Sequence, residues 1–111
     1  MYNLNWAICL DIGLLCGKLF QRVVQYETNT PNMVTISFSG ETYHTSTDKI
    51  REIEPPKFTY GDVVSPVNHP DMIGYICGII YHASRNEPVF YIRVNGKMKS
   101  KRYFADDLAH K

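Results

Sequence analysis

Short apolar segments of strand length recur along the chain, each closed by a glycine, a proline or a polar turn. The clearest run lies in the second half. Tyr60-Gly61-Asp62-Val63-Val64 reads as a strand ended by Pro66, and Val67-Asn68-His69-Pro70-Asp71 carries dense turn chemistry. Residues 74–82 read as a long second strand with a bulge or bend at Gly78. After a polar loop over residues 83–88, a third strand is predicted over 89–94 and a fourth over 97–104. Asn95-Gly96 between them is the strongest two-residue hairpin signal, with both residues expected at positive φ in a type I′ turn. Asp106-Asp107-Leu108 reads as a closing turn capped by one of its carboxylates.

The first half repeats this pattern at an offset of 56 residues. Met33-Val34-Thr35-Ile36-Ser37-Phe38-Ser39-Gly40 lies over Val89-Phe90-Tyr91-Ile92-Arg93-Val94-Asn95-Gly96. Upstream, Leu19-Phe20 lies over Tyr75-Ile76, Val23-Val24 over Ile79-Ile80, and Tyr2 over Phe58. A one-residue shift pairs Gly17 with Gly74 and Pro31 with Pro88; a two-residue shift pairs Asp48-Lys49-Ile50 with Asp106-Asp107-Leu108. Between the copies sits Glu54-Pro55-Pro56-Lys57, where two prolines remove backbone donors and stiffen a short connection. The expected organisation is a first module over 1–54, a linker over 55–57 and a second module over 58–111.

The order is a strand, a long loop, three meandering strands and a one-turn element. Gly61-Asp62-Val63-Val64, Gly74-Tyr75-Ile76 with Ile79, and Tyr91-Ile92-Arg93-Val94 resemble the SH3-like barrel in its Tudor and KOW-like forms. The resemblance covers residues 58–108 well and 2–53 loosely, because Asn5-Trp6 stand where Gly61-Asp62 do. It implies an all-β chain of two tandem SH3-like small barrels. In Tudor-type domains it also implies an aromatic cage for methylated side chains, which attracts them by cation–π contact.

Composition agrees with strands: eight Tyr and five Phe in 111 residues suit a pleated, half-buried surface. The net charge of +1 argues against whole-molecule electrostatic binding of nucleic acid. Yet residues 1–56 carry four Lys/Arg against six Asp/Glu, and residues 57–111 carry eight against five. The basic half is therefore the side for an acidic partner. Cys9, Cys16 and Cys77 match no metal or redox spacing and read as reduced, buried thiols, which suggests a cytoplasmic protein. The apolar run Trp6–Cys16 is interrupted by Asp11 and too short for a bilayer, so it reads as core and no membrane is expected.

Candidate chemistry is thin. His69-Pro70-Asp71 is a turn rather than a metal site, and His82 is a strand-end cap rather than a base. Glu52 and Glu54 share a solvated strand face. No catalytic residue, metal or cofactor is expected.

The most informative stretch is Gly96-Lys97-Met98-Lys99-Ser100-Lys101-Arg102-Tyr103-Phe104. In a continuous strand Lys97, Lys99 and Lys101 stand on one face and Met98, Ser100 and Arg102 on the other, with Arg93 across the hairpin. Tyr91 and Tyr103 interleave with them, alongside Tyr75, Tyr81 and Phe104. The predicted partner-binding set is Arg93, Lys97, Lys99, Lys101, Arg102, Tyr91 and Tyr103. The expected function is non-catalytic binding of a protein partner with an acidic surface, through the second module and the groove between modules. The alternative is nucleic-acid binding by the basic hairpin 96–104. A structural role for the lysines also exists, as protection of a sheet edge against aggregation.

Overall fold

The computed structural model describes residues 5–11, 13 and 21–111. Tyr2, Cys16, Gly17, Leu19 and Phe20, used in the repeat above, lie outside the described residues. The chain divides into two compact units, Met1–Pro55 and Pro56–Lys111, and each is nearly all β.

The first unit holds β1 (Asn5–Cys9), β2 (Val23–Thr30), β3 (Met33–Phe38), β4 (Glu41–Ser46), a 3-10 turn (Thr47–Lys49) and β5 (Ile50–Ile53). They form an antiparallel sheet in the order β4-β3-β2-β1-β5. Its core is Ala7, Cys9, Val24, Tyr26, Val34 and Ile36, with Phe38, Tyr43 and Ile50 packed against it. Burial pushes the Cys9 thiol pKa up, consistent with a thiol acting as a small hydrophobe; Cys77 is half-buried. Glu52 is exposed, as its solvated reading expects, and the Tyr26 hydroxyl pKa is raised by burial first and by the nearby Glu52 carboxylate second. Asp11 accepts bonds from the Gly13 amide (2.9 Å) and the buried Thr45 hydroxyl (2.6 Å), so the polar break in the first apolar run ties β4 to the loop after β1.

The second unit holds β6 (Val63–Pro66), β7 (Gly74–His82), β8 (Glu87–Val94), β9 (Lys97–Met98), β10 (Tyr103–Phe104), a 3-10 turn (Ala105–Asp107) and β11 (Leu108–His110). The order is β10-β8-β7-β6-β11, with β9 also paired to β8. Phe58, Val64, Ile76, Ile79, Phe90, Ile92, Tyr103 and Leu108 are buried. The bulge expected at Gly78 puts the extra residue at Cys77, between the pairs Ile76–Ile92 and Gly78–Tyr91. That extra residue lets Ile76 and Ile79 both face the core, since one inserted residue reverses the alternation. Asp107 accepts the Phe104 amide at 2.9 Å and is the cap of the closing turn.

Both sheets run through their strands in the same order, but the gapless offset misplaces one strand. Seventeen positions separate Ala7 from its partner Val24, whereas ten separate Val64 from Gly74. On the next ladder ten positions separate Tyr26 from Ile36, and sixteen separate Ile76 from Ile92. By register, then, Val24 and Tyr26 occupy the places of Gly74 and Ile76, not those of the residues 56 further on. The differences fall in connections, where added length costs little.

Asp62 closes the second unit. Its carboxylate accepts the Thr59 amide (3.0 Å) and hydroxyl (3.3 Å) and meets His110 Nε2 at 3.3 Å, joining the turn before β6 to β11. The Thr59 amide bond, then the bond with His110, lowers the Asp62 pKa. A carboxyl with a lowered folded pKa stabilises the fold above its unfolded pKa of about 3.9 and loses that contribution as pH falls through the folded value. Asp62→Asn is therefore expected to cost about 1 kcal/mol at pH 6, a modest figure because the pair is partly exposed. In urea titrations the gap between wild type and variant should narrow below about pH 4. A gap unchanged down to pH 2.5 contradicts this role.

Candidate functional site

The fourth strand expected over 97–104 is broken, which corrects the reading of the basic strip. Lys97 and Met98 pair with Val94 and Arg93, and the Lys99 amide donates to Ile92 O at 2.9 Å. Tyr103 and Phe104 then pair with Phe90 and Val89, so residues 100–102 stand opposite Tyr91 alone and bow outward. The cause is tertiary. Tyr103 enters the core beside Phe90 and is only 6% exposed, whereas the cations of Lys101 and Arg102 are too costly to bury and stay in water. Alternation on one face therefore holds for Lys97 and Lys99 but not for Lys101. Tyr103 leaves the set of accessible contact residues, and Lys101 Nζ lies 5.2 Å from its ring centroid.

The hairpin turn has the expected geometry: Asn95 has φ 51° and Gly96 φ 79°. Ser39 (φ 54°) and Gly40 (φ 79°) make the matching turn between β3 and β4. Arg93 Nη1 donates to Gly96 O at 3.0 Å, so part of its guanidinium holds the turn. Gly96→Val is expected to cost about 1–3 kcal/mol, because a β-branched residue resists positive φ. An unchanged melting temperature would show that the turn tolerates another shape.

On one side of the hairpin lies a notch of about 380 Å³ lined by His69, Asp71, Met72, Ile73, Val94, Asn95 and Lys99. Two tight turns, His69 N to Pro66 O and Met72 N to His69 O, both 3.0 Å, fold the β6–β7 loop toward it. His69 and Asp71, read from sequence as turn residues only, thus share a concavity with the predicted Lys99. Met72, Ile73 and Val94 were not singled out from sequence; no local signal brings a loop and a hairpin thirty residues apart together.

No Phe, Tyr or Trp lines this notch, so the aromatic cage implied by the Tudor resemblance is not built there. The aromatic residues of the second half are dispersed. The Phe104 ring carries the Arg85 guanidinium at 3.8 Å and the His82 ring at 5.7 Å. Tyr91 is half-buried, its carbonyl accepting the Cys77 thiol at 3.5 Å. His82 Nδ1 accepts the Arg85 amide at 3.3 Å, the strand-end capping role expected of it.

Lys97, Lys99, Lys101 and Arg102 are all exposed, and none makes an ion pair among the described residues. Among the described residues no three His, Cys, Asp or Glu side chains gather as a metal site would require, and no helix is long and apolar enough to cross a membrane. Comparison with curated proteins and with solved structures returns no match. A family model does match, over residues 16–109, and it runs through both units. The chain belongs to that family, a family of unknown function designated DUF6960.

Proposed function

We propose that the chain is a non-catalytic binding protein whose second module engages a protein partner bearing acidic groups. One observation carries this reading: Lys97, Lys99, Lys101 and Arg102 are four exposed cations in six consecutive residues, free of ion pairs among the described residues, and one of them, Lys99, lines a notch together with Met72, Ile73 and Val94. Cations already neutralised by neighbours gain little from a partner, whereas unpaired ones speed encounter and fix its orientation. Val94, Met72 and Ile73 beside Lys99 supply apolar surface that a phosphate backbone would not use. The two units are read as copies of one SH3-like module, a reading supported by their common strand order and matching Ser39-Gly40 and Asn95-Gly96 turns.

The test is capture from native lysate on immobilised full-length chain, with and without nuclease, across a salt series. A protein retained after nuclease treatment, and lost when Lys97, Lys99 and Lys101 are changed to Gln, supports the reading. Capture that disappears with nuclease, with a log–log salt slope near −0.9 per phosphate on duplex DNA, would transfer the hairpin to nucleic-acid binding.

A further inference from the structure

The sheet face opposite the notch carries an ordered row. Val63 pairs with Tyr75, Tyr75 with Arg93, and Arg93 with Met98, so four neighbouring strands each contribute one residue to a single line across the sheet. Directly paired residues of antiparallel strands project on the same side. Val63, Tyr75 and Met98 are 47%, 42% and 58% exposed, so three of the most exposed large apolar side chains among the described residues fall on this line. Isolated surface hydrophobes are ordinary, but a register-locked row of them is not. Lys97 and Lys99 alternate with Met98 and belong to the notch side, so the row is a separate surface.

Arg93 sits inside the row. Its Nη1 holds Gly96 O, and among the described residues its guanidinium has no carboxylate partner. Tyr, Met and Arg side by side are the composition enriched at the centre of interfaces. The row is about 14 Å long at the usual spacing between strands, with the charge about 10 Å from its Val63 end. In an extended chain, side chains two residues apart lie on one face about 7 Å apart. An acidic side chain placed on Arg93 therefore puts an apolar residue at one side between Val63 and Tyr75, and one at the other side over Met98.

We propose that Val63, Tyr75, Arg93 and Met98 form a docking surface for an extended protein segment of the pattern apolar–any–acidic–any–apolar. This rests on the reading of the second module as a protein binder and adds the sequence class it selects. A second copy of the chain is disfavoured as occupant, since an isologous pairing sets row against row and this row holds no carboxylate to meet Arg93.

The experiment is selection of a random twelve-residue phage-displayed peptide library on immobilised full-length chain. The expected result is enrichment of that five-residue pattern, with affinity of the enriched peptides reduced at least tenfold by Tyr75→Ser with Met98→Ser. Both side chains are exposed, and an unchanged melting temperature confirms that the variant is folded. Arg93→Glu gives an independent check: repeating the selection on that variant should enrich a basic residue at the central position. Peptides sensitive to the triple lysine change but indifferent to Tyr75→Ser with Met98→Ser would overturn the row while leaving the second module a binder. No enriched peptide on any form of the chain would overturn both. A concentration-dependent dimer abolished by Met98→Ser would assign the row to self-association and overturn the proposal.

Discussion

Phe58→Ala is expected to lower stability by about 3–5 kcal/mol, the range for emptying an aromatic site in a packed core. The side chain is fully buried, meets the Phe90 ring edge-on at 5.4 Å and lies 4.7 Å from the His110 ring. It precedes β6 and belongs to no strand, yet it closes the core of the second unit. Edge-to-face ring pairs add to the area they bury, and a module this small has little else to fill the space. In a domain of this size each kcal/mol moves the melting temperature by about 4–8 °C, so a fall of about 15 °C or more is expected by circular dichroism. A fall under about 5 °C would mean that Phe58 caps the module without filling it.

Gly74→Ala is expected to be the next most damaging change, at or above about 3 kcal/mol, the upper end for overpacking. A Cβ at Gly74 would stand 2.7 Å from Arg93 O and 2.9 Å from Val94 Cγ2. The first of these is backbone within a sheet and has no room to retreat. Relief would push the end of β8 outward, together with the hairpin that carries Lys97 and Lys99. Tyr75, next in sequence, is paired to Arg93, so the clash would also distort the exposed row. Urea denaturation of the purified variant measures this. A loss below about 1 kcal/mol would show that the β7–β8 pairing yields more than its geometry suggests.

Much of the fold was legible because local chemistry and tertiary pairing agree. Residues 74–82 read as one strand and are one, and Asn95-Gly96 makes the turn its residue types favour. Of the two carboxylates the closing turn offered as its cap, Asp107 is the one that takes the Phe104 amide. Where long-range contacts decide, the sequence is silent or misleading. Nothing local distinguishes the two-residue strand at Lys97–Met98 from a continuous one through Phe104; the break follows from Tyr103 seeking Phe90. The offset of 56 reads through two connections of unequal length and so displaces β2 while aligning β3. Tyr26 and Glu52 come together only because β1 lies between β2 and β5.

The candidate site was half legible for the same reason. The cations of 97–102 were visible as a run, and their exposure agrees with that reading. The notch that gives Lys99 its apolar company needs the β6–β7 loop folded back onto the hairpin. The row through Val63, Tyr75, Arg93 and Met98 needs three strand registers at once.

The measurement that bears most directly on the binding role is a comparison of wild type with the Lys97→Gln, Lys99→Gln, Lys101→Gln variant. Three quantities are read on the same preparation: affinity for the nuclease-resistant partner, unfolding free energy and light scattering. The predicted result is affinity at least tenfold weaker, a loss of about 1.4 kcal/mol, with stability unchanged within about 0.5 kcal/mol and no new scattering. Full affinity together with increased scattering would contradict it, and would make the lysines guards of a sheet edge rather than a binding surface.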